Sequence, residues 1–380
     1  MKQRIPTLLL AVLLALGLTA CGGSTPAPSQ DSAGIPAAKL KIGLILLGSE
    51  SDSYNQNHIA GLKTACEEIG ADYDTQVIVR DNVVENKSCI KAVNDLAEGG
   101  CHIIFTTSPG HETYMLAGSE HNQGIQFCQA AGYQSAADSR DNTHNYFANI
   151  YEARYLSGIA AGLKTETNLL GFVASKPYAE VISGYTAFYL GAKSVNPQVV
   201  MLVTYTGAWS NPDLESAQTQ ALIDQGCDVI SHHTNTSAPL VTAEANGVYA
   251  VGYNQDMTGV APHSALLSAR VNWESYYGYA LRCLTEGEEI SQDWWEGYAD
   301  GGCSLTPLNT AIAAEGTQEA IDRAAQSLTE GDLPVFSGPL HGVDADGNEL
   351  NLVEGEAYME NETASAPSFA FLVDGVTVLP

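Results

Sequence analysis

The side chains in this sequence that could do chemistry are flat rings, amides and a few isolated carboxylates. In "TYTGAWSNP", residues 204–212, Trp209 stands on a short connection between an apolar run, residues 199–203, and a helix start. That start is well defined: Asn211 can cap it, Pro212 suits its first position and Asp213 its first turn. Trp209 therefore lies at a strand's carboxyl end, where the indole either covers the sheet edge or offers a flat face to a planar ligand. Base–aromatic stacking contributes about 1–3 kcal/mol. Tyr54, in "SDSYNQN", holds the equivalent place after the first strand, so one ring from each half of the chain would sandwich a third. Around them Asn55, Asn235 and Asn254 each carry donors and acceptors, as the edge of a purine requires, and each is also a common residue of turns and caps. Asp256 could accept from an amino group or a ring N–H, or cap a helix. Glu180, in "KPYAEV", opens a helix whose dipole favours a carboxylate in any case, and is a further candidate contact.

Bond-making chemistry finds little support. "HETYM", residues 111–115, begins like a zinc-protease helix but has Met115 where the second histidine belongs. Neither a G-x-S-x-G elbow nor a G-x-x-x-x-G-K-[ST] phosphate loop is present. His232 and His233 end a strand without a third clustered ligand. "DADGNE", residues 344–349, starts like a calcium loop, yet Glu349 stands where the sharp-turn glycine should be and Gly355 where the bidentate glutamate should be. A surface turn is the better reading. The expectation is a binding protein with no catalytic residue, no metal and no cofactor.

The scaffold that must position these residues begins after a leader. Lys2 and Arg4 precede an apolar stretch, residues 5–18, too short for a membrane span and of signal-peptide length. Leu18-Thr19-Ala20-Cys21-Gly22 resembles a bacterial lipobox, which makes residues 1–20 a lipoprotein signal peptide and Cys21 the lipidated residue; a plain signal peptide that happens to hold a cysteine is the alternative. Residues 21–38, rich in Gly, Ser, Pro and Ala, read as a flexible tether. Removing residues 1–20, with Lys2 and Arg4, takes the net charge from −28 to −30. So acidic a body repels phosphate backbones and argues against nucleic-acid binding. Seven cysteines follow Cys21, with no CxxC pair and no zinc spacing; they read as small apolar core residues, with room for one or two bridges.

From Lys39 onward, strand-like runs of four to seven residues alternate with helical segments of ten to fifteen. "KLKIGLILLG", "QVIVR", "HIIFTT" and "IQFCQ" form one cycle; "LLGFVAS", "QVVMLVTY", "CDVISHH" and "VYAVGYN" form another. The pattern predicts an α/β chain of two doubly wound parallel units joined near residues 145–152. Residues 39–146 with about 272–334 would make lobe 1, and 147–271 with about 335–380 lobe 2. Ligands of such sheets sit at the carboxyl ends of the strands, where Tyr54, Asn55, Trp209, residues 232–235 and residues 254–256 gather.

The ordered segments "NIYEARYLSGIAAG", "GFVASKPYAEV", "GAKSVNP", "LIDQGCDVISHHTN", "GVYAVGYNQDM" and "VNWESYY" resemble the basic membrane lipoprotein family of ABC-importer substrate-binding proteins, from about residue 40 to the end. The resemblance implies a two-lobed Venus-flytrap fold of the type I periplasmic-binding-protein kind, a purine base or nucleoside as ligand, and a permease as partner. It also implies a monomer, held outside the membrane by its lipid. Asp52, Tyr54 and Asn55 match the family's base-binding segment, and Trp209 its second-lobe aromatic. Trp273, in "VNW", matches the purine-base branch. Asn235 and Asn254 stand where that branch usually has carboxylates, and an amide, which donates as well as accepts, suits an oxo-purine. A ligand-sensing lipoprotein, a binder of another small polar solute and an extracellular nucleoside hydrolase are the alternative readings.

Overall fold

The computed structural model describes residues 34–360 and 364–380. The signal peptide, Cys21 and most of the tether lie outside the described residues. Residues 34–38, read as tether, are docked instead: the Ile35 N–H donates to the Leu284 carbonyl at 2.9 Å, and Ala37–Lys39 forms a 3-10 turn.

The first unit comprises β1 (Ile42–Ile45), α1 (Ser53–Ile69), the single turn α2 (Tyr73–Gln76), β2 (Val77–Arg80), α3 (Ser88–Glu98), β3 (Ile103–Thr106), α4 (Glu112–Ser119), β4 (Gln126–Ala130) and β5 (Thr143–Ala148). The second comprises α5 (Ile150–Lys164), β6 (Leu169–Ala174), α6 (Ala179–Val195), β7 (Val200–Tyr205), α7 (Pro212–Asp224), β8 (Val229–His233), α8 (Ala238–Asn246), β9 (Tyr249–Tyr253) and β10 (Ala265–Val271). The chain then returns to the first unit with α9 (Trp273–Glu286) and β11 (Asp293–Glu296), before β12 (Cys303–Leu305) and α10 (Thr317–Glu330) rejoin the second. Two short tail sheets follow. β13 (Phe336–Ser337) pairs with β16 (Ala357–Tyr358), and β14 (Leu340–Val343) lies between β15 (Glu349–Leu352) and β17 (Leu372–Val373). The last strand, β18 (Val376–Val378), adds to the edge of β7.

The six-stranded sheet runs β11-β5-β4-β3-β1-β2, parallel throughout; the seven-stranded sheet runs β12-β10-β9-β8-β6-β7-β18, with only β12 antiparallel. Their central strands are apolar runs because helices cover both faces. β1 and β3 are buried at every position, and so is all of β6 beyond Leu169. α5 and α6 lie unusually close: a Cβ at Gly158 would fall 2.0 Å from the Phe188 carbonyl, and one at Gly191 would fall 1.9 Å from that of Tyr155. Only glycine permits that approach. All seven described cysteines are buried and free, so no bridge forms among them.

Two parallel α/β units are present, joined at Ala148–Ile150 as the alternation predicts. The expected split of the later segments differs. Of residues 272–334, only α9 and β11 belong to lobe 1; β12 hydrogen-bonds β10, and α10 packs on α5. Three residues of antiparallel edge strand carry little pattern, and the amphipathic α10 would suit either sheet.

Candidate functional site

A cavity partly open to solvent lies between the facing carboxyl ends of the two sheets. Lobe 1 contributes Leu47 after β1, Tyr54 from the first turn of α1, Thr107 to Pro109 after β3, Ala131 after β4 and Phe147 at the end of β5. Lobe 2 contributes Glu180, Trp209, His233, Asn235 and Tyr253.

Tyr54 is anchored by its hydroxyl, which donates to the Thr107 carbonyl at 2.8 Å, so its ring is held against the cavity wall. Trp209 is 7% exposed and its Nε1 has no partner among the described residues; Lys176 Nζ stands 5.3 Å from its ring centre. The two rings predicted to face each other from opposite lobes therefore border one cavity. Asn235 borders it as well. Its backbone N–H donates to the Trp209 carbonyl at 2.8 Å, and its own carbonyl accepts from Ser53 Oγ of the other lobe at 2.8 Å. No side-chain hydrogen bond of Asn235 occurs among the described residues, which leaves its amide to the cavity. Glu180 is 4% exposed, and burial chiefly pushes its carboxyl up to about 8, with Lys176 opposing and Glu85 reinforcing. Near neutral pH it therefore mixes protonated and ionised forms, able to donate or accept.

The other sequence candidates lie elsewhere. Asn55 is fully buried and donates its amide to the Ser49 carbonyl at 2.8 Å, bracing the loop after β1. Asp52 caps the approach to α1 and sits at the mouth, where its Oδ2 accepts from Ser210 Oγ of lobe 2 at 3.0 Å; burial raises its pKa against that bond. Trp273 is core: it stacks on His58 at 4.2 Å, with its ring 6.3 Å from that of Tyr54, one layer beneath the cavity. Asn254 has φ +70°, a left-handed conformation that asparagine tolerates, and is fully buried beside an open groove that Asp256 and Arg270 line, its Oδ1 and Nδ2 without partners among the described residues. Asp256 is exposed, and its Oδ1 accepts from the N–H and hydroxyl of Thr258 at 2.9 and 2.6 Å, bracing a turn where no helix begins.

Five contributors are not among the sequence candidates. Thr107 and Ser108 follow a strand, and that position alone was a usable signal. Tyr253 ends β9 and looked like strand. Glu85 and Lys176 form a 3.2 Å ion pair across the mouth, which nothing local to either residue announces. Burial acts to raise the Glu85 carboxyl, but the Ser108 hydroxyl, at 2.6 Å, and Lys176 outweigh it and hold the pKa below its ordinary value. Among the described residues no group of three or more His, Cys, Asp or Glu is placed to hold a metal, and no helix is long and apolar enough to cross a membrane. The cavity thus presents aromatic rings from both lobes beside an amide and a buried carboxyl group.

Comparison with known proteins agrees with that architecture. A purine-binding protein of Brucella abortus (strain 2308) is 30% identical over 303 residues, 80% of this chain and 84% of its own length. A putative ABC transporter glucose-binding protein of Haloferax volcanii, TsgA13, is 31% identical over 272 residues, 72% of this chain and 68% of its own. Among solved structures, a transcriptional activator of the comK gene from Bacillus halodurans has a TM-score of 0.65 at 20% identity, covering 77% of this chain and 99% of that one. An ABC transporter solute-binding protein of Aeropyrum pernix K1 has a TM-score of 0.65 at 17% identity, covering 81% and 95%. These two share the fold. The family model for PnrA-like ABC transporter substrate-binding proteins matches residues 39–334, and the chain belongs to that family.

Proposed function

We propose that this chain captures a purine base between its two lobes, outside the cytoplasmic membrane and anchored there through a lipid on Cys21, and hands it to an ABC permease. The observation that carries this reading is that Tyr54 and Trp209, from opposite lobes, border one cavity in which Asn235 and Glu180 supply the polar contacts. Stacking provides affinity, and buried polar groups reject analogues that leave them unpaired. The mechanism is binding without catalysis, a reading that membership of a substrate-binding-protein family supports. Closure that favours the bound state is what a permease would read. The purine-binding Brucella relative supports the ligand class. That Asn254 and Asp256 lie off the cavity favours a base over a nucleoside, whose ribose would need such groups.

One relative names a sugar, so a glucose-like solute is the second reading. Titration calorimetry of the soluble domain with purine bases, purine nucleosides and glucose separates the two. A purine base binding at least tenfold more tightly than the others is expected; heat with glucose alone would overturn the purine reading.

A further inference from the structure

Arg154, on α5, is fully buried, and none of its three guanidinium nitrogens makes a hydrogen bond of ordinary geometry among the described residues. Its surroundings are rings: the guanidinium carbon lies 4.0 Å from the centre of Tyr253 and 5.6 Å from that of Phe172. Leaving a buried charge without a counter-charge is strongly unfavourable, so a chain that keeps one there has a use for it. Nδ1 of His233, beside it, and Oγ of Ser231 are also buried without partners among the described residues. They are alternate residues of β8 and so share the face that looks toward α5 and α6. Gly184 of α6 leaves the space open, since a Cβ there would stand 3.4 Å from His233 Nδ1 and 3.9 Å from Arg154 Nε. Burial, followed by the Arg154 charge, keeps the His233 imidazole neutral.

This compartment is not remote from the cavity. His233 and Tyr253, whose rings are 4.7 Å apart, are at once its wall and part of the cavity lining. It is rich in donors and holds a fixed positive charge. A cation over the face of Tyr253 draws electron density from the ring and makes its hydroxyl a stronger donor.

We propose that Arg154 is a specificity-determining residue: acting across the Tyr253–His233 wall, it selects heterocycles that present an oxo oxygen or an anionic ring edge, the oxopurines, over aminopurines. The inference rests on the purine reading and deepens it. Its test is titration of the soluble domain with xanthine, hypoxanthine and adenine, using wild type, Arg154→Met, Arg154→Lys and Tyr253→Phe. Wild type is expected to bind an oxopurine about tenfold or more tighter than adenine, as a site built for a polar group does. Arg154→Met should abolish that preference while leaving adenine affinity within about threefold and the melting temperature of the ligand-free protein no lower than wild type. Arg154→Lys should retain the preference. Tyr253→Phe, which leaves the charge in place, should weaken it and serves if Arg154→Met fails to fold. Wild-type preference for adenine, or equal loss of all three ligands in Arg154→Met, would overturn the assignment. Binding of none of them by wild type would instead remove the purine reading, and this inference with it.

Discussion

The Trp209 indole borders the cavity, with the Lys176 ammonium 5.3 Å from its ring centre and its own N–H without a partner among the described residues. Trp209→Ala is therefore expected to weaken purine binding by roughly tenfold to a hundredfold, the loss of about 1–3 kcal/mol of stacking, measured by calorimetry. Trp209→Phe should recover much of it. An unchanged dissociation constant in the alanine variant would show that the indole does not stack. Glu180 makes a different prediction, about protons. Its carboxyl is raised from an ordinary 4.5 to about 8, chiefly by burial. The folded protein thus holds a proton that the unfolded chain releases, and stability falls as pH rises from about 4.5 toward 8. Glu180→Gln removes that dependence, so its melting temperature should match wild type near pH 4.5 and exceed it at pH 8. A wild-type melting temperature that rises across this range by a step absent from the variant would contradict the burial of the charge.

Two loops at the end of the second sheet carry Trp209 and Asn235, and one side chain from a helix ties them together. Glu215 of α7 is fully buried; its carboxylate accepts from the Asn211 N–H at 2.9 Å and from the hydroxyls of Thr234 and Thr236 at 2.9 and 2.5 Å. Glu215→Ala would orphan all three donors, at about 1–3 kcal/mol for each that water cannot reach. The expected result is a lower melting temperature together with weaker ligand binding, and Glu215→Gln should restore part of both. Full ligand affinity in the alanine variant would show that the loops hold their places without this tie. Little of this is legible in the sequence: only the Asn211 N–H, four residues before the carboxylate, is local, and the Thr234 and Thr236 donors lie 19 and 21 residues away. The strands were legible, since a run buried on both faces has few alternatives to a parallel sheet. So was Trp209, because Asn211 and Pro212 mark where its connection ends. Asn254 is ambiguous for a physical reason: a left-handed backbone and a ligand contact both select asparagine, and the sequence does not distinguish them. Trp273 is ambiguous in the same way, because a stacking partner in the core and one in a cleft are the same residue type.

The molecule as a whole is two lobes joined by three strands of chain. The chain crosses at Ala148–Ile150, between Val271 and Trp273 and between Glu296 and Cys303. At the mouth the cross-lobe bonds are polar: Ser210 to Asp52, Ser53 and the Tyr54 N–H to the Asn235 carbonyl, and Lys176 to Glu85. A small polar contact between lobes is the kind that opens readily. In a chain of net charge −28, like charges on the two lobes push them apart; Lys176 with Glu85 pulls across the mouth, while the Arg270–Glu274 pair joins the lobes at a crossover. Both side chains are about a fifth exposed, so salt can reach the pair. Raising ionic strength from about 0.01 to 0.5 M should then weaken the latch and the lobe repulsion at once, two effects of opposite sign. Glu85→Gln separates them. It removes the attraction and one negative charge, so the ligand-free variant should have a larger radius of gyration than wild type at low salt by small-angle X-ray scattering. Added salt, acting on repulsion alone, should bring the variant's lobes closer. Ligand should leave the variant faster, because release requires the mouth to open and the pair no longer holds it. Equal radii at low salt and equal off-rates would mean that the pair forms without contributing to closure, and that the hydrogen bonds around Asn235 and Asp52 suffice.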